Sequence, residues 1–385
     1  MSDAPVYEID PQAFWHDPYP DLKQMRRNSP IAYVPQLGAT LITRRNDIFA
    51  EEKKIDVFSS DQPQGLMTVL MGQNLMRKDG AAHQAERKAI FPTVSPKTVK
   101  NVWIDQFQAA THAILDGLAG ANGCDLVRDF AMPVSGEALK VITGLTQITA
   151  AEMDRVSQGM IDGCANYAGD PRVEATCNDC TASIDRYITE RIPQVDAAPD
   201  YSLLSVQRRA GLRDAQVRAN IKLAISGGQN EPRDAVAGTV WALLSHPQAL
   251  ERVRRGEVSW LHAFEEYARW ISPIGMSPRR VAQRYELNGV TFQPEDRVFL
   301  MFGSGNRDED VFANPETFDL DQDISAAITF GAGPHFCAGA WASRALIGDV
   351  ALPMLFDRFP DLKLDGEARF GGWAFRGPIQ VQTRW

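Results

Sequence analysis

Of the five cysteines in this chain, one has surroundings suited to chemistry. In Phe330-Gly331-Ala332-Gly333-Pro334-His335-Phe336-Cys337-Ala338-Gly339-Ala340, three glycines and a histidine surround Cys337, and a helix-like stretch follows from Trp341 to Phe356. Glycine at this density lets a backbone bend sharply and approach a bulky planar group. A cysteine at the mouth of a helix has its thiolate stabilised by the helix dipole and by free N–H groups. Such a thiolate is a metal ligand, and on haem iron it favours O–O cleavage. The plainer reading is a glycine turn around a buried cysteine. Cys177 and Cys180 form a lone Cys-x-x-Cys; without a second ligand pair they read as helix cysteines, not as half of a zinc site.

Three further constellations carry charge at meaningful spacing. Glu266 and Arg269 share a helix face and can pair. His83 and Arg87 are four apart, so they too share a face and can clamp one anion. In Gly227-Gly228-Gln229-Asn230-Glu231-Pro232, the proline lacks an N–H and collides with the carbonyl four residues back. That predicts an opened helix near Gly228.

The elements that must hold these groups are mostly helical. Residues 31–48 read as a hairpin, 95–272 as amphipathic helices, 281–298 and 379–383 as strands. The fold class is therefore mainly α with a minor β part. No repeat or Gly/Ser linker marks a boundary, so the 385 residues read as one domain, 1–385. With 40 basic against 49 acidic residues the net charge is −9, which argues against nucleic-acid binding through a basic face. Residues 1–12 hold three acids and no Lys or Arg, unlike a signal peptide, and no run of about 18 apolar residues is present. The expectation is a cytoplasmic protein with no membrane segment.

The segment 330–339 matches every fixed position of Phe-Gly-x-Gly-x-His-x-Cys-x-Gly and so resembles the haem-binding signature of the cytochrome P450 family. The resemblance runs from Asp17-Pro18-Tyr19-Pro20 to the terminal strand. It implies the cytochrome P450 fold, a single triangular domain with haem b (iron protoporphyrin IX) between a distal helix and the cysteine loop. Cys337 would be the axial metal ligand, with Phe330, Gly331, His335, Gly339, Gly227 and Gly228 against the haem. His83, Arg87, His335 and one of Arg279 and Arg280, with Arg280 favoured by its Arg-Val-Ala context, would hold the propionates. Glu266 and Arg269 would be the structural pair beneath the haem loop. The family usually completes that pair with an Arg, but here Phe318-Asp319-Leu320-Asp321 is followed by Gln322, so a third arm must come from elsewhere.

In the distal helix the family's acid and alcohol are replaced by Asn230 and Glu231. The expectation is that Glu231, its pKa raised in an apolar pocket, donates a proton during O–O cleavage while Asn230 orders water. The alternative has Glu231 turned away and paired with Arg233 or another cation.

The Glu-Pro of this helix, with Gly372-Trp373-Ala374-Phe375-Arg376-Gly377-Pro378, is similar to the bacterial aromatic O-demethylase branch. That likeness implies a pocket lined by Leu70, Leu223, Gly227, Ile274 and Phe375, and oxidation of a methoxy carbon to a hemiacetal that collapses to a phenol and formaldehyde. The Asn166-Tyr167 region does not clearly supply that branch's aromatic wall. A pocket relined by Leu66, Met67, Leu70 and Met71 would suit a terpenoid or another small hydrophobic molecule. A peroxide-driven haem-thiolate enzyme and a non-catalytic haem sensor are the rival classes. The chain has no Gly-x-Gly-x-x-Gly beside a strand and no four-cysteine cluster, so electrons must come from outside, from a ferredoxin and reductase or a fused ferredoxin-flavin reductase. Arg77, Lys78, Arg87, Lys88, Lys97 and Lys100 form a basic stretch that would steer an acidic partner.

Overall fold

The computed structural model describes residues 1–166 and 169–385. In chain order the helices that position the candidate site are α1 (Arg45–Glu51), α2 (Leu66–Met71), α3 (Gly80–Val94), α4 (Met132–Thr143), α5 (Ala150–Cys164), α6 (Pro171–Ala197), α7 (Asp214–Ser226), α8 (Asn230–Ser245), α9 (Trp260–Ile271) and α10 (Ala340–Arg344). The strands are β1 (Ile31–Val34), β2 (Ala39–Ile42), β3 (Phe58–Ser59), β4 (Ser277–Val281) and β5 (Arg297–Leu300), with short pairs elsewhere. Helix predominates, as the periodicity predicts. The chain forms two compact units, each assembled from separate stretches: 1–61, 238–337 and 366–381 in the first, and 62–237, 338–365 and 382–385 in the second.

The first unit is built on a five-stranded sheet in the order β1-β2-β5-β4-β3. Only β2 and β5 run parallel, with Thr40 opposite Val298. The expected hairpin forms from β1 and β2, turned by Gly38 at φ 58°. It stops short of Ile48, however, because α1 starts at Arg45. The Asp308 carboxylate accepts the Arg45 N–H at 2.8 Å, a cap delivered from a distant part of the chain. Between β4 and β5, Tyr285–Leu287 and Val290–Phe292 make a second hairpin across Asn288-Gly289, both at positive φ. Ile42, Ile48, Phe58, Val281, Phe292, Val298, Leu300 and Ile328 pack as its core.

The second unit packs α3 to α7 around Met153, Val156, Met160, Ile184, Ile188 and Ile221. Its α5–α6 contact explains the Cys-x-x-Cys. A Cβ at Gly159 would overlap the Cys180 sulfur, and one at Gly163 would lie 2.5 Å from the Cys177 sulfur. The two glycines, one turn apart, let the thiols sit against α5 as small apolar groups. Among the described residues no group of three potential ligands could hold a metal ion.

The expected terminal strand is split. Gly377–Gln380 pairs with Arg369–Gly371, whereas Gln382–Arg384 lies between Gly123–Asp125 and Lys363–Leu364 in another sheet. One extended stretch thus serves two sheets. Among the described residues no helix is long and apolar enough to cross a membrane.

Candidate active site

In the first unit the cysteine loop is a closed turn. The Cys337 N–H donates to the Phe330 carbonyl at 2.9 Å, and the Phe336 N–H donates to Gly333 at 3.1 Å. Gly331 and Gly333 sit at φ 71° and 62°, where a side chain is strained. Phe330 packs between Phe264 of α9 and Phe336, at centroid distances of 6.4 and 6.3 Å. His335 is half-buried, while Phe336 and Cys337 are exposed at the tip. By chain order Cys337 stands three residues before α10, with Gly339 as its N-cap. Cys337 is thus exposed and not the buried cysteine of the plainer reading.

Beneath the loop, Glu266 and Arg269 form a forked pair at 2.7 Å on both arms, with neither side chain exposed. Arg269 also donates to the carbonyls of Asn306, Pro315 and Thr317, and Glu266 accepts the Asp319 N–H at 2.8 Å. These backbone groups complete the network without a second arginine. Gln322, where the family usually has one, accepts the Asn314 N–H instead. Asn306, which no sequence signal singled out, carries the network onward. Its Oδ1 accepts the Ile328 N–H, and the Ile328 carbonyl accepts the Gly331 N–H.

Strand alternation separates the two arginines of β4. Arg279 is buried and pairs with Glu52 at 3.3 Å. Arg280 points the other way, donating to the Asp61 carbonyl and pairing with exposed Glu295 at 2.6 Å. Close by, Ile274 and Phe375 are joined as an antiparallel bridge, and the Gly275 N–H donates to Ala374 at 2.8 Å.

In the second unit the distal helix is broken. α7 ends at Ser226 and α8 begins at Asn230. Pro232 has no N–H to offer the Gly228 carbonyl, and the Ser135 hydroxyl of α4 takes up the slack, 2.7 Å from the Gln229 carbonyl and 3.4 Å from that of Gly228. A Cβ on Gly228 would collide with the Ala224 carbonyl, so glycine is required there.

Both carboxylate oxygens of Glu231 are buried and accept no hydrogen bond from another residue. Burial pushes its pKa up to about 8, with Asp234 adding to the rise and Arg233 opposing it. The pairing with Arg233 does not form, because Arg233 is taken by Asp154 at 3.0 Å and Asp234 at 2.8 Å.

Asn230, expected to order water, makes its side-chain hydrogen bonds to α5. It is buried, its Oδ1 lying 3.2 Å from the Ser157 hydroxyl and its Nδ2 donating to Gln158 at 3.1 Å. One N–H and one lone pair of its amide go to α5, which ties the start of α8 to that helix. Ser135, Ser157 and Gln158 carried no sequence signal.

On α3, His83 is buried and Arg87 half-buried one turn apart. Of the basic stretch, Lys88, Lys97 and Lys100 are exposed, but Arg77 is buried and Lys78 is paired with Glu86. Leu70 and Leu223 lie partly buried against one apolar cluster with Met67 and Cys164. Tyr167 lies outside the described residues, and Asn166 is bonded to the backbone of Asp170.

Comparison with known proteins decides the family. The family model described as Cytochrome P450 matches residues 262–346, a span that holds the Glu266–Arg269 pair and the cysteine loop. The polyketide biosynthesis cytochrome P450 PksS of Bacillus subtilis is 25% identical, covering 91% of this chain and 90% of its own. The epothilone C/D epoxidase of Sorangium cellulosum is also 25% identical, over 95% and 92%. The chain belongs to the cytochrome P450 family. Its fold matches P450BioI, crystallised with an acyl carrier protein ligated to hexadec-9Z-enoic acid, at TM-score 0.88 and 21% identity over 97% of this chain and all of that one.

As a cytochrome P450 the protein is a haem-thiolate monooxygenase. The donor set fits the group: an exposed soft thiol at the tip of a glycine loop, beside an exposed aromatic edge, is what a planar iron macrocycle would cover. Arg280, which the resemblance assigns to the haem carboxylates, is here paired with Glu295 and with the Asp61 carbonyl. When bound, haem supplies oxygen activation and one-electron chemistry.

Proposed function

We propose that this cytochrome P450 inserts one oxygen atom of O2 into a C–H bond of a small, largely apolar molecule, with a methoxylated aromatic as the first choice. The observation that carries this reading is the Ile274–Phe375 bridge. It brings side by side the two segments expected to line the pocket, one of them the Gly-Trp-Ala-Phe-Arg-Gly-Pro stretch similar to the O-demethylase branch. An aromatic and a branched aliphatic side chain on adjacent backbones suit a flat aryl ether. Oxidation at its methoxy carbon gives a hemiacetal that releases a phenol and formaldehyde.

The chain's own residues contribute in distinct ways. Cys337 provides the thiolate, and Phe330, Gly331, His335 and Gly339 hold the loop around it. His83 and Arg87, one turn apart on α3, would hold the cofactor's carboxylates, as the resemblance implies. Gly227 and Gly228 leave the distal backbone open. Glu231, protonated at neutral pH, donates the proton that oxygen activation consumes. Leu70 and Leu223 exclude water on the substrate side. Electrons arrive from a ferredoxin-type partner, which the exposed Lys88, Lys97 and Lys100 attract.

The partnerless Glu231 carboxyl also gives a peroxide-driven reaction some footing, since such a group can take and return a peroxide proton. The test is a Soret titration of the ferric protein with methoxylated aromatics and with terpenoids of similar size, followed by turnover with O2 and an electron donor or with peroxide. A saturable low-to-high-spin shift with guaiacol-like ligands, and formaldehyde release on turnover, is expected. A shift with terpenoids alone would move the substrate class. Product with peroxide but none with donor and O2 would move the oxidant.

A further inference from the structure

Glu51-Glu52-Lys53-Lys54 has the look of a solvated charge run, yet both glutamates are only 2% exposed. Glu51 is answered by Lys54 at 2.9 Å. Glu52 turns toward the cysteine loop, where its Oε2 accepts the Ala332 N–H at 2.7 Å and its Oε1 accepts from Arg279 at 3.3 Å. The loop is shaped to receive it. Ala332 lies between Gly331 and Gly333, both at positive φ. A Cβ on Gly331 would come within 3.1 Å of Glu52 Oε1, and one on Gly333 within 2.9 Å of Lys53 Cγ. The two glycines therefore seat the loop on Glu52 and Lys53 and aim one amide at the carboxylate.

A buried carboxylate is costly, and here burial pushes the pKa up to about 7 in spite of Arg279. Neither partner is part of the Glu266–Arg269 network, so the loop is held from two sides. The 331–333 turn is tied to the cysteine by the Phe336-to-Gly333 and Cys337-to-Phe330 hydrogen bonds, which pass any shift of Ala332 along to Cys337.

We propose that Glu52 is a positioning residue for the cysteine loop, fixing the Ala332 amide and through it the conformation in which Cys337 meets the haem iron. The reach of the side chain carries this role. Glu52→Gln keeps an acceptor oxygen at the Ala332 N–H, whereas Glu52→Asp keeps the charge beside Arg279 but withdraws from the amide by one methylene.

The test compares the haem-loaded proteins by haem content, thermal midpoint and the Soret band of the ferrous–carbonyl complex, which distinguishes thiolate from thiol ligation. The expected result is a thiolate-type fraction at least twofold lower in E52D, at near-parental haem content, and a parental fraction in E52Q. A parental band in both, or a band lost more in E52Q than in E52D, overturns the proposal. Should E52D fail to accumulate, amide exchange in the parent protein decides. The Ala332 amide should exchange at least tenfold more slowly than the Gly333 amide, and equal rates overturn the proposal.

Discussion

The Ser157 hydroxyl spans the interruption in the distal helix, 3.1 Å from the Ile225 carbonyl on α7 and 3.2 Å from Asn230 Oδ1 on α8. The break is therefore a built feature, clamped by α5 from one side and by Ser135 of α4 from another. It also accounts for asparagine where the family has an acid. An amide can accept from Ser157 and donate to Gln158 together, which a carboxylate cannot do.

Ser157→Ala should leave a buried acceptor on Asn230 unanswered, at a cost of about 1–3 kcal/mol. Urea unfolding reads that loss. If the clamp also presents Glu231, peroxide released per electron consumed should rise in the same variant, and Ser157→Thr, which keeps the hydroxyl, should restore it.

Glu231 has a folded-state pKa raised from 4.5 to about 8, so the folded chain holds its proton more tightly than the unfolded chain. The stability linked to that proton is fully present below pH 4.5 and is lost as the pH rises through 8. Glu231→Gln removes the dependence. Its stability should match the parent near pH 4.5 and exceed it at pH 8 by on the order of a few kcal/mol. Melting curves across that range check the sign, and a constant offset would show that the carboxyl titrates normally.

Arg269→Lys keeps the charge of the buried pair but loses its fork and the three carbonyl contacts. A loss of about 3–5 kcal/mol is expected, because a single ammonium replaces the fork on buried Glu266 and leaves only the Asp319 N–H beside it. Haem content per chain, measured beside unfolding, should fall with it.

Gln322→Arg reinstates the residue that the family usually carries, yet it should not stabilise this protein. Glu266 already accepts from Arg269 and from the Asp319 N–H, and Gln322 is itself buried with the Asn314 N–H on its oxygen. Burying another cation there should cost about 1–3 kcal/mol in denaturant unfolding. A gain would mean that the network is incomplete.

The sequence by itself determined the parts of this protein governed by covalent geometry and short spacing. Pro232 cannot offer an N–H to the carbonyl four residues back, so it suits the first turn of a new helix better than the middle of a continuous one. Glu266 and Arg269 share a face at i and i+3 in any helix, and the glycines around Cys337 permit the left-handed turn whatever surrounds them. These local constraints made the thiolate loop, the ion pair and the mainly helical class legible.

Tertiary structure decided which groups arrive from far along the chain. Asp308 sets the start of α1, the split at Val381 sends one strand to two sheets, and Asp319 stands in for the absent arginine. Asn230 reads as a water-binding amide until α5 brings Ser157 and Gln158 to it. Glu52 reads as surface until the Ala332 amide and Arg279 close over it. A side chain's role depends on the polar groups that share its burial, and in these cases those groups lie tens to hundreds of residues away, beyond what local spacing encodes.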